Sequence, residues 1–234
     1  MLADSEATAA SAARRGDGQT EKWGLNNAVC ALVRLGHEGE AEARLQRVGE
    51  TRGEAERAYV SGNTARLRWQ QGRHDEAIAA AKDVLIQFRR APPIVYFLHS
   101  PAYDAATVLL LAWEAARRKG GNARPARDDA REALGFLKSF ARLHRFGLPT
   151  LGWAEGLAAF VEGNPERARR RWIDALADAR ACGMPHEEAL IELELGQRCG
   201  DERDARLERA EALARRTGAA PLARRARGAK NAPR

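Results

Sequence analysis

The feature that most constrains this chain is a short block that recurs along it. A segment with helical periodicity ends in Gly, a polar turn follows, and a second helical segment opens with acidic residues just before an Ala. The clearest copy is Gln70-Gln71-Gly72-Arg73-His74-Asp75-Glu76-Ala77-Ile78, running on through Ala81, Val84, Leu85 and Phe88. A second is Val161-Glu162-Gly163-Asn164-Pro165-Glu166-Arg167-Ala168, continuing through Trp172, Ala175 and Leu176. A weaker copy begins at Arg34-Leu35-Gly36-His37 and reaches Ala41, Leu45 and Val48, and another leads from Cys199-Gly200 to Ala205, Leu207, Ala212 and Leu213.

Each position in the block has a physical reason. Gly ends a helix in the left-handed conformation that other residues adopt only at a cost. Asn164 before Pro165 is an N-cap followed by a residue pre-set for the first helical turn. Asp75 and Glu76 put negative charge at the positive end of a helix dipole. The Ala is small where paired helices approach closely, and larger apolar residues then recur at spacings of three and four. Composition agrees with helix throughout. Ala, Leu, Arg and Glu dominate, aromatics make up 6% and no stretch rich in β-branched residues reads as a strand.

The markers step by 36 residues from Ala41 to Ala77 and by 37 from Ala168 to Ala205. These blocks resemble tetratricopeptide repeats, whose period is about 34 residues. The resemblance is good at the Gly-turn-Ala block and poor at the aromatic positions of the first helix. Between Ala77 and Ala168 a further pair is expected, one helix from Ala102 to Lys119, a turn at Gly120-Gly121-Asn122, and a second helix from Pro125 to Leu143. The connector from Arg89 to Pro101 holds Pro92, Pro93 and Pro101, so it is not helical throughout. Its apolar Ile94, Val95, Tyr96, Phe97 and Leu98 are expected to lie over the stack. The expected fold is all-α, a tetratricopeptide-like solenoid of about four antiparallel helix pairs over residues 21–218. Residues 1–20 are expected to be a disordered lead-in and 219–234 a disordered basic tail.

A narrower resemblance covers roughly residues 100–225. The run Trp153-Ala154-Glu155-Gly156-Leu157 through Glu162-Gly163-Asn164-Pro165 and Arg171-Trp172 is its core, followed by Cys182-Gly183-Met184-Pro185 and Leu193-Glu194-Leu195-Gly196. It is similar to the C-terminal helical region of bacterial regulators in which an AAA-type ATPase, in some cases behind an adenylate or guanylate cyclase domain, precedes the repeats. This chain has no Gly-x-x-x-x-Gly-Lys-Ser/Thr phosphate loop, so the enzymatic functions of such regulators do not carry over. What the resemblance implies is a scaffold that docks a protein or peptide partner, an ATPase or cyclase among the candidates. In this fold the first helix of each pair lines the inner groove. Aligning Ala58 and Pro149 with the repeat start places Tyr59, Arg66, Trp69 and Gln70 on that face, and Thr150, Trp153, Leu157 and Phe160 at matching places later. The two-carboxylate clamp of some tetratricopeptide domains is absent, because Asn26 and Cys30 stand where Lys and Asn are needed.

Charge and titratable residues narrow the alternatives. The net charge is +7, with 39 basic and 32 acidic residues. Residues 215–234 contain Arg215, Arg216, Arg224, Arg225, Arg227, Lys230 and Arg234 and no acid, so 39 − 7 leaves 32 basic against 32 acidic elsewhere. The body is balanced and the excess is terminal, where weak nucleic-acid binding is an alternative to a solubilising end. A small-molecule sensor is the other alternative. Cys30, Cys182 and Cys199 form no CxxC pair, which suits reduced thiols in the cytoplasm. The start lacks the basic and apolar regions of a signal peptide, and no apolar stretch is long enough to span a bilayer.

No catalytic, cofactor-binding or metal-ligating set is expected. His37, His74, His99, His144 and His186 lack a second ligand at helical spacing, and His186-Glu187-Glu188 meets Leu190 where a zinc helix needs His. Glu187-Glu188 and Asp128-Asp129 are adjacent on helices and point apart. Arg169-Arg170-Arg171 spreads around a helix as surface charge.

Overall fold

The computed structural model describes residues 1–51, 53–200 and 202–232. Among them lie twelve α-helices, two short 3-10 turns and no strand. The chain divides into two compact units, Met1–Ala112 and Trp113–Arg234.

The first unit contains α1 (Leu2–Arg14), α2 (Gly18–Leu35), α3 (Glu38–Val48), α4 (Glu54–Gln70), α5 (His74–Arg90) and the start of α6 (His99–Arg118). Here α1 packs on α2, α2 on α3, and α4 on α5, while α2 also lies beside α4. Residues 1–20, expected to be disordered, thus include a packed helix. The reason is steric: a Cβ on Gly24 would stand 2.6 Å from the Ala9 backbone nitrogen, so α1 and α2 touch almost backbone to backbone. The small residues that suggest a low-complexity lead-in are what permit that approach, and Ala9 and Ala12 are buried.

The second unit contains the rest of α6, then α7 (Arg124–Leu143), α8 (Leu148–Val161), α9 (Pro165–Ala181), α10 (Pro185–Arg198), α11 (Arg203–Arg216) and α12 (Ala220–Asn231). Successive helices from α7 to α12 pack on one another. Trp172 of α9 is fully buried and lies over Gly156 of α8, where an added Cβ would fall 2.3 Å from its indole nitrogen. That nitrogen donates to the Trp153 carbonyl oxygen at 3.1 Å, which fixes the hairpin. Residues 219–234, expected to be a tail, include α12. It buries Leu222, Ala223 and Ala226 and packs on α11. Four of the terminal basic residues are ion-paired within the unit: Arg215 and Arg227 with Glu211, Arg225 with Glu194, and Lys230 with Glu208.

The recurring block has one backbone geometry. Gly36, Gly72 and Gly163 all have φ between 74° and 87°. The next residue's N–H reaches back over the turn each time: His37 to Leu32, Arg73 to Arg68 and Asn164 to Ala159, each at 2.9 Å. The Gly N–H bonds the carbonyl three residues back, which completes a Schellman motif. The same bonds recur at Gly16, Gly183 and Gly218. In all six turns the residue after Gly then opens the next helix with ψ between 64° and 80°. Ala41, Ala77 and Ala168 are fully buried. Ala205 is exposed, which corrects the fourth marker. Glu202 enters α11 with φ 53°, and α11 turns Leu207, Ala210 and Ala214 inward instead. The block reappears at Gly218, five residues before the buried Ala223.

Candidate interaction face

The groove residues expected from the sequence fall on two helices, one in each unit. On α8, Thr150, Trp153 and Leu157 are buried at 1%, 2% and 0% exposure. Thr150 donates its hydroxyl to the Gly147 carbonyl oxygen at 3.0 Å. Phe160 is half-buried between Trp172, 6.2 Å away, and the Arg198 guanidinium 4.6 Å over its ring. These side chains hold their own unit together, and of the four Phe160 alone keeps part of its surface in solvent. The reason is the shape of α8, apolar almost all round, with Trp153, Ala154, Leu157, Ala158, Ala159 and Val161 all buried.

Arg198 belongs to a larger charge network of the second unit. It contacts Glu114 at 2.6 Å and Glu194 at 2.5 Å, and these neighbours raise its pKa despite burial. Glu192, with no exposed surface, meets Arg180 and Arg206 at 2.9 Å and Arg209 at 3.2 Å. Buried carboxylates so matched are compensated structural groups.

On α4 the outcome differs. Tyr59 is 9% exposed and donates its hydroxyl to Asn27 Oδ1 at 2.7 Å. Arg66 is partly exposed, with Nε 3.4 Å from Asp104 Oδ1. Trp69 is half-buried, edge-on to the His74 ring at 4.4 Å. Gln70 donates to the Val33 carbonyl oxygen at 3.1 Å. Tyr59, Arg66 and Gln70 join a polar face that α2, α4 and α6 build together, while Trp69 packs on His74 of α5.

On α2, Trp23, Asn27, Cys30 and Arg34 follow one another at spacings of four, three and four, which puts them on one side of the helix. Cys30 Sγ lies 3.6 Å from Ser100 Oγ of α6. Asn63 of α4 donates to the Asn26 carbonyl oxygen at 3.1 Å, and a Cβ on Gly62 would fall 2.6 Å from Pro101. The glycine therefore lets the start of α6 settle onto α4. At one end of the face Trp23 is 51% exposed and 6.3 Å from Phe97. Ile94, Val95 and Tyr96 are exposed too, contrary to the expectation that the connector covers the stack. Of the connector from Arg89 to Pro101, Pro93, Leu98, His99 and Pro101 are buried. Pro92 and the bond from the Ile94 N–H to its carbonyl, 2.8 Å, bend the chain outward there.

At the other end sits Asp104, 7% exposed. Burial pushes its carboxyl up to about 6, against the opposing pull of Arg66 and Arg34. Burial also raises the Cys30 thiol and the Tyr59 phenol. A thiol kept protonated is a poor nucleophile, and what the cluster offers is hydrogen-bonding groups and charge. Sequence reasoning missed Asp104, Ser100, Asn27 and Trp23. The signal for Asp104 was a lone acid inside the apolar run Ala102 to Trp113.

Two other features bear on chemistry. A hollow of about 860 Å³ opens where Gln197, Gly200, Arg203, Asp204, Ala229 and Ala232 meet in the second unit, next to residues outside the described set. Among its described lining residues Arg203 is the one cation, and it donates to the Ala229 and Ala232 carbonyl oxygens. Among the described residues no three His, Cys, Asp or Glu side chains are grouped to hold a metal ion, and no helix is long and apolar enough to cross a membrane.

Neither a protein-family model nor a curated protein matches this sequence.

Proposed function

We propose that the chain is a tetratricopeptide-like scaffold of about four antiparallel helix pairs that binds a protein or peptide partner and performs no catalysis of its own. The observation that carries this reading is the recurring Schellman turn at Gly36, Gly72 and Gly163, each followed by a fully buried Ala. A turn repeated with the same bonds sets helix pairs at a similar angle, and stacked pairs of that kind present inner helices side by side. In the first unit those inner helices are α2 and α4, and they carry chemically varied side chains where a packing surface would carry aliphatic ones. The resemblance to the helical regions of bacterial ATPase and cyclase regulators supports a regulatory partner, with an ATPase or cyclase as the first class to test. The cytoplasm is the location that this reading requires.

The test is affinity capture from a native lysate with the whole chain, compared with Asn27→Arg and Trp69→Glu variants that keep the native circular dichroism spectrum. A discrete partner retained by the native chain and lost from both variants is the expected result. Capture that is identical for all three proteins, or ATP or GTP turnover that persists through further chromatography, would contradict it.

A further inference from the structure

We propose that the second unit binds a second copy of this chain, with the exposed face of α7 in one copy lying along the exposed face of α9 in the other.

The α7 face is basic towards its C-terminal end. Lys138 and Arg142 stand one turn apart on the exposed side of the helix, and Arg145 is exposed just beyond it. None of the three has an ion pair among the described residues, and the chain carries no Asp or Glu from Ala133 to Ala154. Nearer the start of α7 the charges are matched: Arg124 and Arg127 meet Asp128, and Arg131 meets Glu162 at 3.0 Å.

The α9 face is acidic over the same part of the helix. Asp174 is exposed and Asp178 is half-buried one turn later, and neither has an ion pair among the described residues. Arg167 and Arg171 are turned to Glu162 and Glu155, which leaves Arg170 as the exposed cation a turn before Asp174. Asp178 lies in the last turn of α9, at the negative end of the helix dipole, where a carboxylate is disfavoured. The dipole favours Arg142 in the last turn of α7 but does little for Lys138. Opposite charge from a second copy relieves both faces at once.

Shape and polarity match as well as charge. At 3.6 residues per turn, the order round α7 is Lys138 and Arg142, then Gly135 and Ser139, then Leu143. Round α9 in the opposite sense it is Asp178 and Asp174, then Ala181 and Ala177, then Ile173. Two helices laid side by side in the same direction bring these orders together, base to acid, small to small and apolar to apolar. Leu143, 61% exposed, and Ile173, 40%, are the large apolar side chains that the second unit leaves in solvent among the described residues. A Cβ on Gly135 would meet nothing within 4 Å, and Ser139 donates its hydroxyl back to the Gly135 carbonyl oxygen at 3.0 Å. The middle of the α7 face is therefore low, and a facing helix can approach its backbone. Formed twice about a two-fold axis, the contact closes a dimer. An interface this small has a dissociation constant on the order of 100 μM, so the chain is monomeric in a dilute lysate.

The experiment is sedimentation velocity of the whole chain from micromolar to millimolar concentration. The native chain should pass from monomer to dimer over that range, with the dimer weakened by added salt. Lys138→Glu with Arg142→Glu, and separately Asp174→Lys with Asp178→Lys, should each raise the dissociation constant at least about tenfold, because the two faces then carry one sign. An equimolar mixture of these two variants should dimerise again, since each supplies the face that complements the other's reversed one. That recovery separates loss of the contact from loss of the fold. Gly135→Gln, a better helix former with nothing in the unit to obstruct it, should fold and still weaken the dimer. A native chain that stays monomeric at millimolar concentration would overturn the proposal, as would charge-reversed variants that dimerise like the native chain, or a mixture that remains monomeric. A native monomer that captures a lysate protein, lost on Lys138→Glu with Arg142→Glu, would assign the α7 face to another partner and equally overturn it.

Discussion

Asp104 shows how one residue couples burial to stability. Its folded-state carboxyl stands at about 6, above the usual 3.8, because desolvation outweighs Arg66 and Arg34. Between those two values the folded chain holds a proton that the unfolded chain has released. Stability from this group is therefore greatest below pH 4 and falls as pH rises through 6. The difference between those two values corresponds to at most about 3 kcal/mol. Urea melts at pH 7.5 should show Asp104→Asn to be as stable as the native chain or more so, with the gain shrinking towards pH 5. A variant that is clearly weaker at pH 7.5 would mean that the Arg66 pair is a net source of stability. Glycines allow a matched comparison. Gly156 faces the Trp172 indole nitrogen at 2.3 Å from an added Cβ, so Gly156→Ala should cost about 2 kcal/mol or more by forcing that ring away. Gly135 sits inside α7 with nothing within 4 Å, and Gly135→Ala should add about 0.5 to 1 kcal/mol through helix propensity alone. Thermal melts of the two variants should move in opposite directions.

At the scale of elements, α12 carries the clearest consequence. It covers α11 with Leu222, Ala223 and Ala226, and Arg227 and Lys230 pair with Glu211 and Glu208. Deleting residues after Gly218 should lower the melting temperature by several degrees and reduce helical ellipticity. A truncated chain that melts like the whole one would place α12 outside the fold. Local chemistry made most elements legible in the sequence: Gly-turn-Ala blocks bounded α4, α5, α8 and α9, and Gly120 and Pro125 marked the break between α6 and α7. What composition misled on was the ends. Residues 1–20 and 219–231 are small or basic, and whether Ala9 or Ala223 is buried depends on a partner helix distant in chemistry from its own neighbours. The inner face was half legible for the same reason. Repeat spacing found Tyr59, Arg66, Trp69 and Gln70 on α4. It could not show that α8 buries Thr150, Trp153 and Leu157, nor that α6 would bring Ser100 and Asp104 against α2 and α4.

For the whole molecule, charge is distributed more evenly than the sequence implies. The seven basic residues of 215–234 make up the net +7, yet Arg215, Arg225, Arg227 and Lys230 spend their charge on acids of the same unit. Nucleic-acid affinity, measured by fluorescence polarisation with a mixed-sequence duplex, should be weak and vanish well below 200 mM salt. Affinity that survives that salt would reveal a basic surface elsewhere. The two units differ in what they expose: the first carries the exposed Trp23 beside varied polar side chains of α2, α4 and α6, whereas in the second Trp153, Trp172, Glu192 and Glu194 are buried. Site-specific photo-crosslinking tests most directly where a partner binds. A photoreactive residue at Asn27, on the α2 face, and another at Arg170, on the exposed side of α9, are compared in the same lysate. A discrete adduct from position 27 and none from position 170 is the expected result; an adduct only from position 170, or none from position 27 under conditions where the partner co-purifies, would contradict the account.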